Sequence, residues 1–223
     1  MTPSQTYAAV RRRLLDLAST MDAATQAKPV PALPGWSVRD TYAHLAGMCT
    51  DVLDQRLTGM PNHEWTAGQL AERAPLSFVD VCAEWEKRGP GIDMVLAAPG
   101  NERSALMVQD AWQHEQDVRG ALGLPGDRNA ETCAWMAGFT LTHLARRWPE
   151  GLPAVRAVAG GIDRTLGEGA PAATLRTDVY ELARLTLGRR SRAQILALDW
   201  EGDPRPMLDH LHAFTLAEVE LAE

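Results

Sequence analysis

The sequence predicts an α+β protein, with an N-terminal four-helix bundle followed by a smaller C-terminal α+β domain. Three observations carry this. Up to Leu122, four stretches place apolar residues at helical spacing, separated by joints rich in proline and glycine. Leu124-Pro125-Gly126-Asp127 then breaks the pattern. Beyond Gly151 the texture changes to short strand-like runs bounded by glycine turns. The two halves are therefore expected to span 1–125 and 126–223.

The first helix is expected over Ser4 to Ala27, with Tyr7, Val10, Leu14, Leu15 and Leu17 near one side, and Lys28 to Gly35 is a loop. Ser37 and Asp40 form a Ser-x-x-Asp cap that opens the second helix, whose stripe is Val38, Tyr42, Leu45, Cys49 and Val52. His44 lies at the edge of that stripe, beside Thr41 and Met48. Gly59 to Pro75 has no clear period and is read as a long connection. Ser77 and Asp80 repeat the cap and begin the third helix, with Phe78, Val81, Cys82 and Trp85 early in it. Gly89-Pro90-Gly91 is a place to kink or split that helix, and Pro99-Gly100 ends it. The fourth helix runs from Arg103 to Leu122.

In the second half, Glu131 to Trp148 reads as a helix. Ala154 to Val158 and Ala172 to Arg176 read as strands, with turns at Gly160-Gly161 and Gly167 to Gly169. Asp178 to Leu187 is helical and Gly188 stops it. Ala193 to Trp200 reads as a strand and Pro206 to Phe214 as a short helix.

Composition narrows the function classes. Hydrophobic residues make up 45% of the 223, enough for a real core. The formal net charge of −7 disfavours nucleic acid and anionic membrane as partners. No run of about 18 apolar residues exists to span a membrane, and the N-terminus lacks a signal-type apolar core, so the expected location is the cytoplasm. Cys49, Cys82 and Cys133 are widely spaced, form no Cys-x-x-Cys pair and read as packing residues. No phosphate-binding glycine loop or nucleotide fingerprint is present.

The chemistry concentrates in Asp110-x-x-x-His114-x-x-Asp117. On a helix this spacing stacks a carboxylate, an imidazole and a second carboxylate on one face, together with Leu106, Met107 and Ala121. A partly buried face with such groups needs partners or a metal. Joined by one more histidine from elsewhere in the chain, the pair would offer two imidazoles and a carboxylate, a set that suits Zn, and also Fe, Ni or Co, with open positions left over. Spacing alone favours a plain helix-stabilising pair, because Asp and His four apart are common. A lone histidine beside an apolar stripe is likewise more often a hydrogen-bonded core residue.

A resemblance changes that weighing. Trp36-Ser37-Val38-Arg39-Asp40-x-x-x-His44-Leu45, followed by Asp110-x-x-x-His114-x-x-Asp117, resembles the DinB-like bundle of the actinobacterial mycothiol-dependent maleylpyruvate isomerase family. Arg176-Thr177-Asp178, Gly188-Arg189-Arg190-Ser191-Arg192-Ala193-Gln194 and Asp199-Trp200 resemble its second domain. The resemblance covers most of the chain, in order. It implies metal ligands at His44, Asp110 and His114, with the departure that the family's acid is commonly Glu, one methylene longer than Asp110. It also implies a divalent metal, Zn first, with mycothiol or a similar low-molecular-weight thiol as cosubstrate and an electrophilic small molecule as substrate.

Other residues carry two readings each. Asp117 either orients His114, replaces Asp110 as ligand, or plays a structural part by pairing with Arg103 or Arg119 or facing a neighbouring helix. Trp36 is read as a packing residue at the helix start, with a pocket wall as the alternative. Arg189, Arg190 and Arg192 are either a solvated turn after a helix or include one arginine that grips a substrate carboxylate. Two function classes follow. The first is a metal-dependent thiol enzyme that adds a thiolate to an electrophile, as isomerase or S-transferase. The second is a non-catalytic binding or regulatory protein with a structural or vestigial metal site.

Overall fold

The computed structural model describes residues 2–57, 62–98 and 104–223. The expected helix stop at Pro99-Gly100 and the start at Arg103 lie outside the described residues. In chain order the elements are α1 (Pro3–Ala18), α2 (Ala23–Gln26), α3 (Val38–Leu53), α4 (His63–Arg73), α5 (Phe78–Ala97), α6 (Ser104–Leu122), α7 (Ala130–Arg146), β1 (Val155–Ala159), β2 (Ile162–Leu166), β3 (Ala173–Arg176), α8 (Val179–Thr186), α9 (Arg192–Leu196) and β4 (Asp199–Gly202), then a 3-10 helix over Arg205–His210. The class is α+β, mostly helical with one small sheet. Two compact units divide the chain, Met1–Gly126 with Glu223, and Asp127–Ala222.

In the first unit the long helices α1, α3, α5 and α6 make the bundle: α1 packs on α5 and α6, and α3 on the same two. Tyr7, Val10 and Leu14 of α1, Val38, Tyr42 and Leu45 of α3, Val81, Trp85 and Ile92 of α5, and Val108 and Trp112 of α6 are buried in it. Both Ser-x-x-Asp caps form. Ser37 accepts from the Asp40 backbone N–H while Asp40 accepts from that of Ser37, and Ser77 accepts from the Asp80 N–H. Such a cap contributes about 1 kcal/mol and fixes the helix phase, which for α3 sets where His44 points.

Several expected bounds need correction. The first helix stops at Ala18 rather than Ala27. Ser19 and Thr20 turn their hydroxyls back onto the carbonyls of Asp16 and Leu17, and Asp22 caps α2 separately. Gly89-Pro90-Gly91 does not split α5, which runs through Pro90. Gly89 serves packing instead: a Cβ there would lie 2.5 Å from the Arg11 side chain, which is ion-paired with Asp93 at 2.7 Å. The described part of the Gly59 to Pro75 connection is largely helix α4, capped by Asn62, whose side chain accepts from Trp65 N–H at 2.9 Å.

In the second unit, α7 packs on α8 and β2, and the sheet order is β2-β1-β3-β4. β1 is antiparallel to β2 and parallel to β3, and β4 is antiparallel to β3. β2 has no counterpart in the expected elements. It is an edge strand with only Leu166 buried, so it lacks an apolar stripe, although the two-residue Gly160-Gly161 link pairing Ala159 with Ile162 is a hairpin signal. The expected strand over Ala193 to Trp200 is instead α9 followed by β4. Ser191 and Gln194 form a complete capping box that turns this segment helical. The expected helix over Pro206 to Phe214 is the shorter 3-10 helix. No helix among the described residues is long and apolar enough to cross a membrane.

Candidate metal centre

His44 projects from α3, and Asp110 and His114 project from successive turns of α6. One ligand atom of each lies within 4.8 Å of the others. His44 Nε2 stands 3.4 Å from Asp110 Oδ2, and His114 Nε2 stands 3.4 Å from Asp110 Oδ1. The rings meet nearly edge to face, with centroids 5.1 Å apart. The two nitrogens meet different oxygens of the one carboxylate, and both contacts are longer than good direct hydrogen bonds, which leaves the three side chains spaced for an ion among them. The set of two neutral nitrogens and one carboxylate is a known zinc-type donor set.

Each imidazole is held from behind through Nδ1. His114 Nδ1 meets Asp117 Oδ2 at 3.1 Å, and His44 Nδ1 meets Gln69 Oε1 at 2.8 Å. Both rings therefore present Nε2 inward. Asp117 thus occupies the orienting position among its three readings. Of its other suggested partners, Arg119 is engaged by Glu115 at 3.0 Å, and Arg103 lies outside the described residues. Glu115 is fully buried and also takes a two-pronged ion pair from Arg13, at 2.7 and 2.5 Å, which anchors α6 to α1.

Exposure is uneven. The His44 and His114 side chains are buried, while that of Asp110 keeps 28% of its exposure, so the cluster opens on the carboxylate side. Leu106, expected on the buried face, is 40% exposed because it lies one turn beyond Asp110 at this open end; Met107 and Ala121 are buried as expected. Trp36 is half-buried against both imidazoles, its ring centroid 5.2 Å from that of His44 and 6.1 Å from that of His114. The wall reading, rather than helix-start packing alone, is what this geometry carries.

The charges reinforce one another. Burial favours the neutral acid at Asp110, but the two imidazoles beside it outweigh that and hold its carboxyl far below the usual carboxylate range. Burial likewise opposes a charge on His114, yet the carboxylates of Asp110 and Asp117 raise its pKa to about 9. Without a metal the site is a zwitterionic cluster; a divalent cation would take over the role of the His114 proton.

The other singled-out residues lie apart from this cluster in the chain. Arg189 and Arg190 are buried, and Arg190 holds Glu181 through a two-pronged ion pair whose Nε–Oε2 contact is 2.8 Å. Arg192 is half-exposed and pairs with Asp209. A solvated turn thus describes Arg192 but not its two neighbours. Burial pushes the thiols of Cys49 and Cys133 up to about 12 and that of Cys82 up to about 11. None of them is an activated nucleophile at neutral pH.

Sequence reasoning missed Gln69 and Asp51. Gln69 lies on α4, in the segment read as a connection, and its Nε2 donates to Asp51 Oδ2 at 2.7 Å. The available signal was the Asn62 cap, which announces a helix even without an apolar stripe.

No protein-family model and no curated protein matches the chain. Among solved structures, a histidine-to-alanine mutant of the mycothiol-dependent maleylpyruvate isomerase aligns with a TM-score of 0.61 at 12% identity, over 84% of this chain and 88% of that one. The crystal structure of the mycothiol-dependent maleylpyruvate isomerase aligns with a TM-score of 0.55 at 13% identity, over the same shares. This chain has the fold of that isomerase. The match spans most of the chain, as the motif resemblance does, and at this identity it speaks to architecture alone.

Proposed function

We propose that the protein is a divalent-metal-dependent thiol enzyme whose metal is held by His44, Asp110 and His114. The observation that carries this reading is the convergence of the two Nε2 atoms on one carboxylate, each imidazole fixed from behind. The isomerase-like fold supports the choice of chemistry. When bound, a divalent metal, Zn first, supplies a Lewis acid that keeps a thiol ionised at neutral pH. The chain's own thiols, buried at Cys49 and Cys133 and half-buried at Cys82, are held protonated, so the sulfur comes from a low-molecular-weight thiol such as mycothiol. Trp36 walls the two imidazoles, roughly parallel to the His114 ring and tilted to that of His44, and the partly exposed side of Asp110 is the way in. The proposed reaction class is addition of the thiolate to an electrophilic small molecule, ending in isomerisation after re-elimination or in stable S-transfer. Within the second unit, one of Arg189, Arg190 and Arg192 is proposed to meet an anionic group of a small molecule.

Elemental analysis is the first test, with about one divalent metal per chain expected and loss of it in His44→Ala and His114→Ala. Full retention in both variants rules out this ligand set. Thiol-dependent turnover of electrophiles by the loaded protein is the second test. A protein that holds metal through these residues, yet turns over no electrophile with any thiol, is a binding protein with a structural metal. Charge removal at each arginine in turn should leave metal content unchanged. One variant should lose about one to two orders of magnitude in affinity, the worth of a charged hydrogen bond of roughly 1.5–3 kcal/mol.

A further inference from the structure

Helix α4 is attached to the bundle in an unusual way: its buried residues are Gln69 and Arg73, both polar. Arg73 grips Glu84 of α5 with Nε at 3.0 Å and a terminal nitrogen at 2.5 Å, and donates to the Gln69 backbone carbonyl at 3.1 Å. Gly47 of α3 lets the helix come close, since a Cβ there would lie 2.8 Å from Gln69 Cβ. The α4 apolar side chains Trp65 and Leu70 are only half-buried, so the positions fully enclosed by the docking are the polar ones. What the docking does achieve is to bring one amide to the back of His44.

That amide has only one workable orientation. Asp51 Oδ2 lies 2.7 Å from Gln69 Nε2, and the Arg56 guanidinium stands 3.6 Å from the other Asp51 oxygen. A carboxylate accepts, so the Gln69 NH2 faces Asp51, and reversing the amide would set two acceptors against each other. The Gln69 carbonyl then faces His44 Nδ1 at 2.8 Å, and it too only accepts. His44 must carry its proton on Nδ1. In the neutral ring Nε2 is then a bare lone pair, aimed at the Asp110 side of the cluster.

We propose that Gln69, oriented by Asp51, is a positioning residue that fixes the tautomer and direction of His44, so that Asp51, Gln69 and His44 act as one line of hydrogen bonds ending at the metal centre. This rests on His44 being a ligand. It goes beyond that by assigning α4 a task, and by making the two imidazoles unequal: His114 is backed by a carboxylate, His44 by a neutral amide.

The test uses the whole chain labelled with 15N in its histidines, with zinc as the metal probe. A downfield His44 Nδ1–H resonance, protected from exchange, is expected with and without zinc. Gln69→Leu should abolish that protection and weaken zinc binding about 10- to 100-fold, the range for an outer-sphere partner of a ligating histidine. Gln69→Glu should weaken binding as well, because its carboxylate meets that of Asp51. Adding Asp51→Asn to Gln69→Glu should bring affinity back to within a few-fold of wild type. The asparagine amide then donates to the glutamate, which still accepts from His44. Rescue by this swap is not expected of a residue that merely fills space, and it keeps the test open if Gln69→Leu does not fold. A protected Nδ1–H and unchanged zinc affinity in Gln69→Leu would falsify the positioning role while leaving the metal centre intact. Wild-type-like zinc binding by His44→Ala would instead remove the ligand reading on which the proposal rests.

Discussion

The two halves of the candidate metal centre are built differently. The α6 half is local. Asp110, His114 and the supporting Asp117 lie within eight residues of one helix, so helix geometry alone puts them on one face. The α3 half is assembled. His44 comes from one helix, its partner Gln69 from another, and Asp51, which orients Gln69, from the far end of the first. The local half needs only that α6 forms. The assembled half needs α4 docked in register, and that docking depends on ion pairs and a glycine. Damage to the first half should act on metal directly, and damage to the second through geometry.

The largest effect is expected in the local half. Asp110→Ala removes an anionic ligand and leaves two imidazoles facing each other, and metal affinity should fall by on the order of a hundredfold or more, beyond the 10- to 100-fold typical of an outer-sphere residue. Asp110→Glu should retain binding, since the longer acid is the one common in the family whose motifs the sequence resembles. Chelator competition measures both. Equal affinity for wild type and Asp110→Ala would move the ligand role to another acid, with Asp117 the nearest.

The same contrast explains what was legible in the sequence. Caps at Ser37 and Ser77 and periodic stripes made α3, α5 and α6 readable, because their signals are local. The Asp110 and His114 pair was visible for the same reason, although only the resemblance tied it to His44. α4 was not legible because the usual signal for a helix is an apolar stripe, and this helix buries Gln69 and Arg73 instead. β2 was hidden by an edge strand's polar face. α9 hides in the strand-like run from Ala193 to Trp200, and the signal that overrides that run is the Ser191 and Gln194 box overlapping its start.

A second prediction exploits the difference in charge behind the two imidazoles. Burial works against protonating His114, but the carboxylates of Asp110 and then Asp117 raise its pKa to about 9, above the ordinary value of 6.5. The sign for the metal-free protein follows by linkage. A raised folded-state pKa contributes stability that is fully present below about 6.5 and is lost as pH rises through about 9. Metal-free protein should therefore lose on the order of 3 kcal/mol from this group between those limits, read by denaturant titration at each pH. Metal binding must expel the same proton, so apparent affinity should rise about tenfold per pH unit up to about 9. Asp117→Asn removes one of the raising carboxylates and should move both breaks to lower pH. Breaks that stay in place in Asp117→Asn would show that this carboxylate does not support the His114 charge.

The smallest effect expected is the one that tests the assembled half without touching any polar group in it. In Gly47→Ala the new Cβ would sit 2.8 Å from Gln69 Cβ and 3.0 Å from an Arg73 terminal nitrogen. The Arg73 end can give way, but Gln69 Cβ is fixed to the helix backbone, so α4 must move outward by a few tenths of an ångström. Overpacking of this kind costs about 1–3 kcal/mol of stability. In a helix interior, alanine would otherwise gain roughly 0.5–1 kcal/mol over glycine, so net destabilisation is itself evidence of close packing. The 2.8 Å bond from His44 Nδ1 to the Gln69 carbonyl should lengthen with the helix, and metal affinity should drop by a few-fold although every ligand and every hydrogen-bonding group is still present. His114 should not notice, because its support comes from its own helix. A loss of stability with unchanged metal affinity would mean that α4 can shift without turning His44. The comparison would then reduce to one half that binds and one that only packs.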